Sequence, residues 1–191
     1  MHAHDFAKNG ATTIDVYSPD TDVLVLLIRR YPRLCRYTNL ITGVGLRQRN
    51  VCVGDIYQSL GESKATALPG LHAISGADNT GSFMGKGKMA FWKCFQSANL
   101  ETINALINLG AEAMLAEETL VAIEGFTCKI YTPKTTITDV SKLRWFLFSK
   151  KQLQSSKLPP TRDALRQAIF RAHCQSLVWN SDPTVTPTLN E

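Results

Sequence analysis

The spacing of hydrophobic and polar residues changes along the chain and separates a strand-bearing part from a helical part. In the first part, short runs rich in β-branched residues predict three strands, at 11–17, 39–44 and 50–53. The second and third strands are joined by a polar turn and predict a β-hairpin. From Met89 onward, apolar residues recur three and four positions apart, which predicts successive helices. The clearest of these apolar stripes follows Thr161, which is the predicted N-cap of its helix.

We expect the first strand to be buried, and a helix is predicted directly after it. Ser18 is the predicted N-cap and Pro19 the first helical residue, so Asp20 and Asp22 lie in the positively polarised first turn. The apolar run 23–28 continues this helix. Polar groups therefore gather where the strand ends and the helix begins.

Glycine and proline mark the other boundaries of this part. A helix over 55–60 is predicted to end at Gly61, and a helical stretch over 65–73 to be interrupted at Pro69-Gly70. Strands followed by helices predict an α/β fold with an all-helical second half. Three short strands do not make a stable sheet alone, so we expect them to need the helices and an upstream part of the domain.

Composition excludes several classes of protein. Hydrophobic residues make up 44% of the 191 residues and charged residues 19%, which is typical of a chain with a core and not of a disordered one. A net charge of +5 is compatible with nucleic-acid binding. Five cysteines without a Cys-x-x-Cys pair argue against a disulfide framework or zinc site. With no membrane-spanning run and no signal-peptide pattern, we expect an intracellular protein, with the nucleus as one option.

Three aspartates are candidate metal ligands. Asp20 and Asp22 follow a strand, at the edge where α/β sheets bind ligands, and Mg²⁺ and Mn²⁺ prefer such oxygen ligands. Asp78 adds a third carboxylate shortly before a Gly/Lys-rich turn. The alternative is that all three are helix caps or turn residues. Asp15 alternates with apolar neighbours and is expected to face outward.

Basic residues form two candidate nucleic-acid contacts. Gly85, Lys86, Gly87 and Lys88 precede a predicted helix, where glycines allow a phosphate to approach the backbone and lysines add charge. The alternative is an ordinary turn with solvated lysines. Six arginines crowd one segment and form either a nucleic-acid face or a solvated surface: Arg29, Arg30, Arg33, Arg36, Arg47 and Arg49.

The remaining prominent residues are expected to be structural. His72 lies in an apolar setting typical of a core histidine, and Asp139 is a predicted helix cap. Five aromatic residues at helical spacing are expected to pack in the core and not to stack on bases: Trp92, Trp145, Phe146, Phe148 and Trp179.

Two segments together resemble the PIN-like, flap-endonuclease (XPG-related) 5′-nuclease superfamily. Residues 18–27 read Ser-Pro-Asp-Thr-Asp-Val-Leu-Val-Leu-Leu. Residues 68–88 include Leu-Pro-Gly-Leu-His-Ala-Ile-Ser-Gly-Ala-Asp, then Asn-Thr-Gly-Ser-Phe-Met-Gly-Lys-Gly-Lys. With the nucleases the similarity covers about 11–95. With a group of invertebrate, mobile-element-associated proteins it extends over nearly the whole chain.

The resemblance implies the C-terminal part of a PIN-like, Rossmann-like, parallel-sheet nuclease fold followed by a helical region. It also implies a metal-dependent, structure-specific nuclease that hydrolyses DNA. Asp20, Asp22 and Asp78 match its catalytic Mg²⁺ or Mn²⁺ ligands. Its backbone-gripping turn is matched by Gly85, Lys86, Gly87 and Lys88.

The chain departs from the superfamily at its start. The superfamily's first aspartate and its middle acidic cluster lie upstream of the strand and have no counterpart, so we expect the nuclease to be incomplete or inactive. The alternative is an inactive nuclease-like module that binds nucleic acid or protein. Three regions are predicted: a partial PIN-like domain at 1–95, a helical extension packed on it at 96–179, and a disordered tail at 180–191.

Overall fold

The computed structural model describes residues 2–77, 80–150, 154 and 157–181. They fall into two compact units: Met1–Thr66 with Trp179–Glu191, here called the strand unit, and Ala67–Val178, the helical unit. The predicted borders at residues 95 and 179 stay predictions. The elements in chain order are α1 His2–Lys8, β1 Thr13–Tyr17, α2 Thr21–Arg30, β2 Tyr37–Thr42, β3 Arg49–Cys52, α3 Val53–Leu60, α4 Glu62–Ile74, α5 Lys88–Gln96, α6 Leu100–Asn108, α7 Glu117–Tyr131, α8 Val140–Ser149 and α9 Arg162–Asn180.

The strand unit contains a three-stranded sheet in the order β1-β2-β3. β1 and β2 are parallel, with Tyr17 opposite Ile41, and α2 lies between them in the chain. β2 and β3 form the predicted antiparallel hairpin, with Thr42 opposite Arg49. The α/β class is confirmed, and the sheet is mixed because one of its two strand pairs is parallel and the other antiparallel.

The core of the strand unit lies where α3 packs against α2 and β2. Ile28, Leu40 and Val53 are buried there. Gly54 allows a close approach, since a Cβ at this position would lie 2.5 Å from the hydroxyl oxygen of Tyr31. This packing fixes α2, and with it the residues at both ends of that helix.

The expectation that β1 is a buried strand is wrong. Thr13, Asp15 and Tyr17 are exposed, while Ile14 and Val16 are half-buried. Within the described part of the chain β1 pairs with β2 alone, so β1 is an edge strand whose other edge has no hydrogen-bonded neighbour. The aspartates that follow it therefore start from the rim of the sheet.

The predicted start of α2 is also wrong, because the helix begins at Thr21, two residues after Pro19. The Ser18 hydroxyl oxygen accepts a hydrogen bond from the Asp20 backbone N–H at 3.1 Å, which holds a short turn ahead of the helix. Asp20 takes the cap position with extended backbone (φ −84°, ψ 130°), and its side chain makes no capping bond. Asp22 lies in the first turn, as expected.

The helical unit is arranged around α7, which packs against α5, α6 and α8. Ile123 and Phe126 of α7 are buried, together with Phe91 of α5 and Leu106 of α6. The rings of Phe91 and Phe126 meet edge to face with centroids 6.2 Å apart. The apolar spacing after residue 89 thus marks true helix faces, and the predicted helices of this region are confirmed.

Helix α4 corrects the predicted interruption at Pro69-Gly70, because it runs unbroken from Glu62 to Ile74. Pro69 removes one backbone N–H from the helix, yet every residue from Ala67 to Ser75 is buried. Tertiary packing therefore outweighs the local preference. Gly70 belongs to that packing, since a Cβ there would lie 2.1 Å from the Leu106 carbonyl oxygen.

The expected core packing of the aromatic residues fails on α8. Trp145 is 70% exposed and Phe148 60%, with Phe146 at 37%. Leu143 and Leu147 supply the buried face of this helix instead, and its aromatic residues lie outside that face. Among the described helices, none combines the length and the apolar character needed to cross a membrane.

Candidate functional site

The acidic edge of the strand unit consists of the residues that follow β1. The Ser18 backbone N–H donates to the Ile41 carbonyl at 3.1 Å, so this segment continues alongside the end of β2. Asp20 is exposed and Asp22 half-buried at the start of α2. Both therefore lie at the carboxyl edge of the parallel pair, where βαβ units bind ligands.

Other acidic groups of the sheet lie apart from this edge or outside the described chain. Asp15 is exposed in β1, as expected, and accepts a hydrogen bond from the Asn39 side-chain amide at 2.8 Å. Asp78 lies outside the described residues. In residues 2–77, 80–150, 154 and 157–181, no group of three or more His, Cys, Asp or Glu side chains could hold a metal ion. The structure thus offers two of the three predicted carboxylates at one edge.

The Gly/Lys turn is a tight reversal ahead of α5. Phe83 and Lys86 form an isolated bridge, with the Lys86 N–H donating to the Phe83 carbonyl at 3.0 Å. Gly85 adopts φ +71°, a left-handed conformation that side-chain-bearing residues rarely adopt. Gly87 occupies the N-cap of α5 in extended conformation. Buried Phe83 packs on Phe91, with ring centroids 5.5 Å apart, and anchors the turn to the core.

Three lysines line one groove of about 430 Å³ in the helical unit, between the turn, α5 and α7. Lys86 comes from the turn, Lys93 from α5 and Lys129 from α7; we call this the lysine groove. The Lys86 ammonium lies 5.1 Å from the centre of the Tyr131 ring, which holds its chain by a cation–π contact. None of the described lining residues is acidic. The groove is therefore a concave, positively charged surface.

Sequence reasoning identifies only Lys86 of these three. Lys93 and Lys129 are separated from it in sequence, and only the packing of α5 on α7 brings them together. Lys88, predicted together with Lys86, is exposed in the first turn of α5. The signal available in the sequence is one lysine on the C-terminal half of each of two amphipathic helices, which is too common to select a site.

Cys94 also lines the lysine groove, but its thiol is not an activated nucleophile. Burial raises the pKa of Cys94, and the nearby Lys129 charge only partly opposes this. A thiol with a raised pKa carries little thiolate at neutral pH. The chemistry of the groove therefore rests on its lysines and favours anion binding.

The six arginines do not form a single face. Arg29, Arg30 and Arg33 line one groove of the strand unit. Arg36 instead lies over the Tyr37 ring, 5.7 Å from its centre. Arg47 lies in the short 3₁₀ turn of the hairpin and Arg49 begins β3.

His72 is buried, as expected of a core histidine.

Comparison with known proteins leaves the family open. No protein-family model, no curated protein and no solved structure matches this chain. The resemblance to PIN-like nucleases stays a prediction from sequence. The lysine groove and the acidic edge are therefore the basis for proposing a function.

Proposed function

We propose that this protein is a nucleic-acid-binding module that holds the phosphate backbone in the lysine groove. One observation carries the proposal: Lys86, Lys93 and Lys129 line the same groove, and none of its described lining residues is acidic. Lysine ammonium groups bind phosphates as point charges and release the counterions condensed on nucleic acid. Such contacts give affinity without base specificity.

The turn beside the groove supports the same ligand. Gly85 and Gly87 have open space where a Cβ would be, so the backbone can be approached closely there. Gly87 caps α5, whose first-turn N–H groups are a favourable place for a phosphate, and Lys88 stands exposed in that turn. Groove and turn together offer charge and backbone donors to neighbouring phosphates.

The direct test is fluorescence anisotropy with a labelled single-stranded oligonucleotide at low salt. The groove variant Lys86→Gln/Lys93→Gln/Lys129→Gln is compared with the control variant Lys142→Gln/Lys150→Gln/Lys157→Gln. Both lose three positive charges, and the control lysines are exposed and lie outside the groove. We expect the groove variant to bind at least about tenfold more weakly, since each phosphate contact contributes to affinity. The control variant should stay within about twofold of the unchanged protein.

Two outcomes would count against the proposal. Equal losses in the two variants would mean that total charge, and not this groove, determines binding. Unchanged binding in the groove variant would exclude the groove as the site. Because Lys86 and Lys129 are half-buried, circular dichroism should confirm folding, and the exposed single variant Lys93→Gln provides a milder check.

A second candidate function is metal-dependent hydrolysis of the phosphodiester bond, as the sequence resemblance implies. The parallel pair β1 and β2 supports it by placing Asp20 and Asp22 at the carboxyl edge of the sheet. Two carboxylates suit Mg²⁺ or Mn²⁺ in donor type but fall short of a full ligand set, and Asp78 is the proposed third. A bound metal would supply an activated water and stabilise the leaving oxygen.

Calorimetric titration with Mg²⁺ and Mn²⁺ tests this second function. We expect saturable binding by the unchanged protein and its loss in Asp20→Ala/Asp22→Ala. Asp15→Ala is a control, because it removes one exposed carboxylate from the same strand unit away from the acidic edge. Binding that survives in the double variant, or that is absent from the unchanged protein, would exclude a metal site at this edge.

A further inference from the structure

The strand unit contains a second basic groove, of about 410 Å³, which the proposed function does not use. The last turn of α2 contributes Arg29 and Arg30, and the following 3₁₀ turn contributes Arg33. Tyr57, Glu62 and Asn180 also line this groove, which we call the arginine groove. Its volume falls in the range of about 300–1,000 Å³ found for small-ligand sites.

In the part of the chain that the structure describes, the three guanidinium groups lie together without balancing ion pairs. Arg29 donates to the Asn180 side-chain oxygen and Arg30 to the Trp179 carbonyl, both neutral acceptors. Among the described residues, no salt bridge involves Arg29, Arg30 or Arg33. Each guanidinium has five N–H donors, and the described residues accept from only a few of them.

The electrostatic state of the groove is unfavourable as it stands. Burial lowers the pKa of Arg29, and the charges of Arg30 and Arg33 lower it further. A protein gains nothing in stability from holding like charges together in a partly buried place, and an anion between them would relieve both penalties. Like charges gathered in one partly buried groove make it a candidate binding site.

We propose that the arginine groove binds a phosphate monoester group as its dianion. Among the described lining residues, three arginine charges less the Glu62 carboxylate leave two positive charges, which match the two negative charges of a monoester. Planar guanidinium forks suit phosphate oxygens because they donate paired N–H bonds. The phosphodiester of a nucleic-acid backbone carries one negative charge and two esterified oxygens, so this ligand differs from that of the lysine groove.

The test is calorimetric titration of the full chain with methyl phosphate and, separately, with dimethyl phosphate in a low-chloride buffer at pH 8. We expect saturable binding of one methyl phosphate per arginine groove and much weaker binding of dimethyl phosphate. Adenosine 5′-monophosphate and inorganic phosphate form further arms. Tighter binding of the nucleotide would assign the phosphate to a nucleotide, and equal binding would assign recognition to the phosphate group alone.

Three variants locate the site. Arg33→Gln, an exposed position, should weaken methyl phosphate binding by about tenfold or more, because charge-assisted hydrogen bonds to phosphate are lost. Glu62→Gln should tighten it severalfold by removing a repelling carboxylate. Arg36→Gln loses the same charge outside the groove and should leave binding unchanged. Circular dichroism checks that each variant is folded.

The proposal is overturned by any of three results: no saturable binding, equal binding of the monoester and the diester, or equal losses in Arg33→Gln and Arg36→Gln. The groove variant of the three lysines separates the two sites. If the arginine groove is an independent site, this variant retains methyl phosphate binding even if it no longer binds oligonucleotide.

Discussion

Gly70 shows how one residue can carry a packing requirement that its sequence neighbours hide. Next to Pro69 it has the appearance of a helix breaker, yet it lies inside α4. Its function is to let the helix backbone approach α6, where the Leu106 carbonyl oxygen and the Leu109 side chain leave no room for a methyl group. The glycine is therefore needed for space and not for an unusual backbone angle.

We predict that Gly70→Ala lowers the free energy of unfolding by about 1–3 kcal/mol, the usual cost of overpacking. The added Cβ would lie 2.1 Å from the Leu106 carbonyl oxygen, and backbone on both sides makes relief difficult. Gly81→Ala is the control: apart from its chain neighbours, no atom of the described residues lies within 4 Å of its Cβ position, so it should change stability little. Chemical denaturation measures both. Equal stabilities would mean that α4 and α6 can move apart at no cost.

At the scale of the element, the start of α8 is held by a small charged network in the helical unit. Asp139 caps the helix by accepting from the Lys142 N–H at 2.9 Å, and it also accepts from Arg162 at 2.6 Å. Glu124 of α7 accepts both from Arg162 and from the Val140 N–H. The network thus links α7, α8 and α9 through backbone donors as well as charges.

We predict that Asp139→Ala lowers the free energy of unfolding by about 1 kcal/mol at pH 7, the usual value of an N-cap. The Lys142 N–H hydrogen bond is the largest cause that lowers the pKa of Asp139; burial opposes it, and the Arg162 charge and hydrogen bond lower the pKa further. A carboxyl whose pKa is lowered by folding adds stability above its unfolded pKa and loses it as the pH falls through the folded value. The difference between the two proteins should therefore shrink below about pH 4. Denaturation at several pH values measures it, and a constant difference would contradict an ionised cap.

Predicting elements from the sequence works where a pattern is local and fails where packing decides. The hairpin and the later helices follow from side-chain periodicity, and Thr161 is indeed bonded by the Ala164 N–H at the start of α9. The exposure of β1 depends on which strands lie beside it, which its own residues do not encode. The exposure of Trp145 likewise depends on α8 turning its leucines toward the core. Local rules identify an element, while its neighbours determine which face is covered.

At the scale of the whole molecule, the two grooves show what sequence can and cannot give for function. The Gly/Lys turn and the arginine-rich segment are visible in the sequence because their residues are contiguous. Lys93 and Lys129 become candidates only because α5 and α7 pack together. Of the six arginines, three line the arginine groove, and the other three, Arg36, Arg47 and Arg49, do not. Charge clustering in sequence is thus a poor guide to charge clustering in space, unless the residues share one turn.

Because the net charge is +5, the salt dependence of oligonucleotide affinity tests whether the lysine groove or the general charge of the protein binds nucleic acid. If the lysine groove contacts three phosphates of single-stranded nucleic acid, each contact adds about 0.7 to the steepness of log affinity against log salt. We predict that the groove variant flattens this slope by about 2, because three counterion-releasing contacts are lost. The control variant has the same net charge as the groove variant but keeps the groove lysines. It should therefore keep nearly the slope of the unchanged protein. Anisotropy titrations at four or more salt concentrations measure the slopes, and equal flattening in the two variants would show binding by general charge alone.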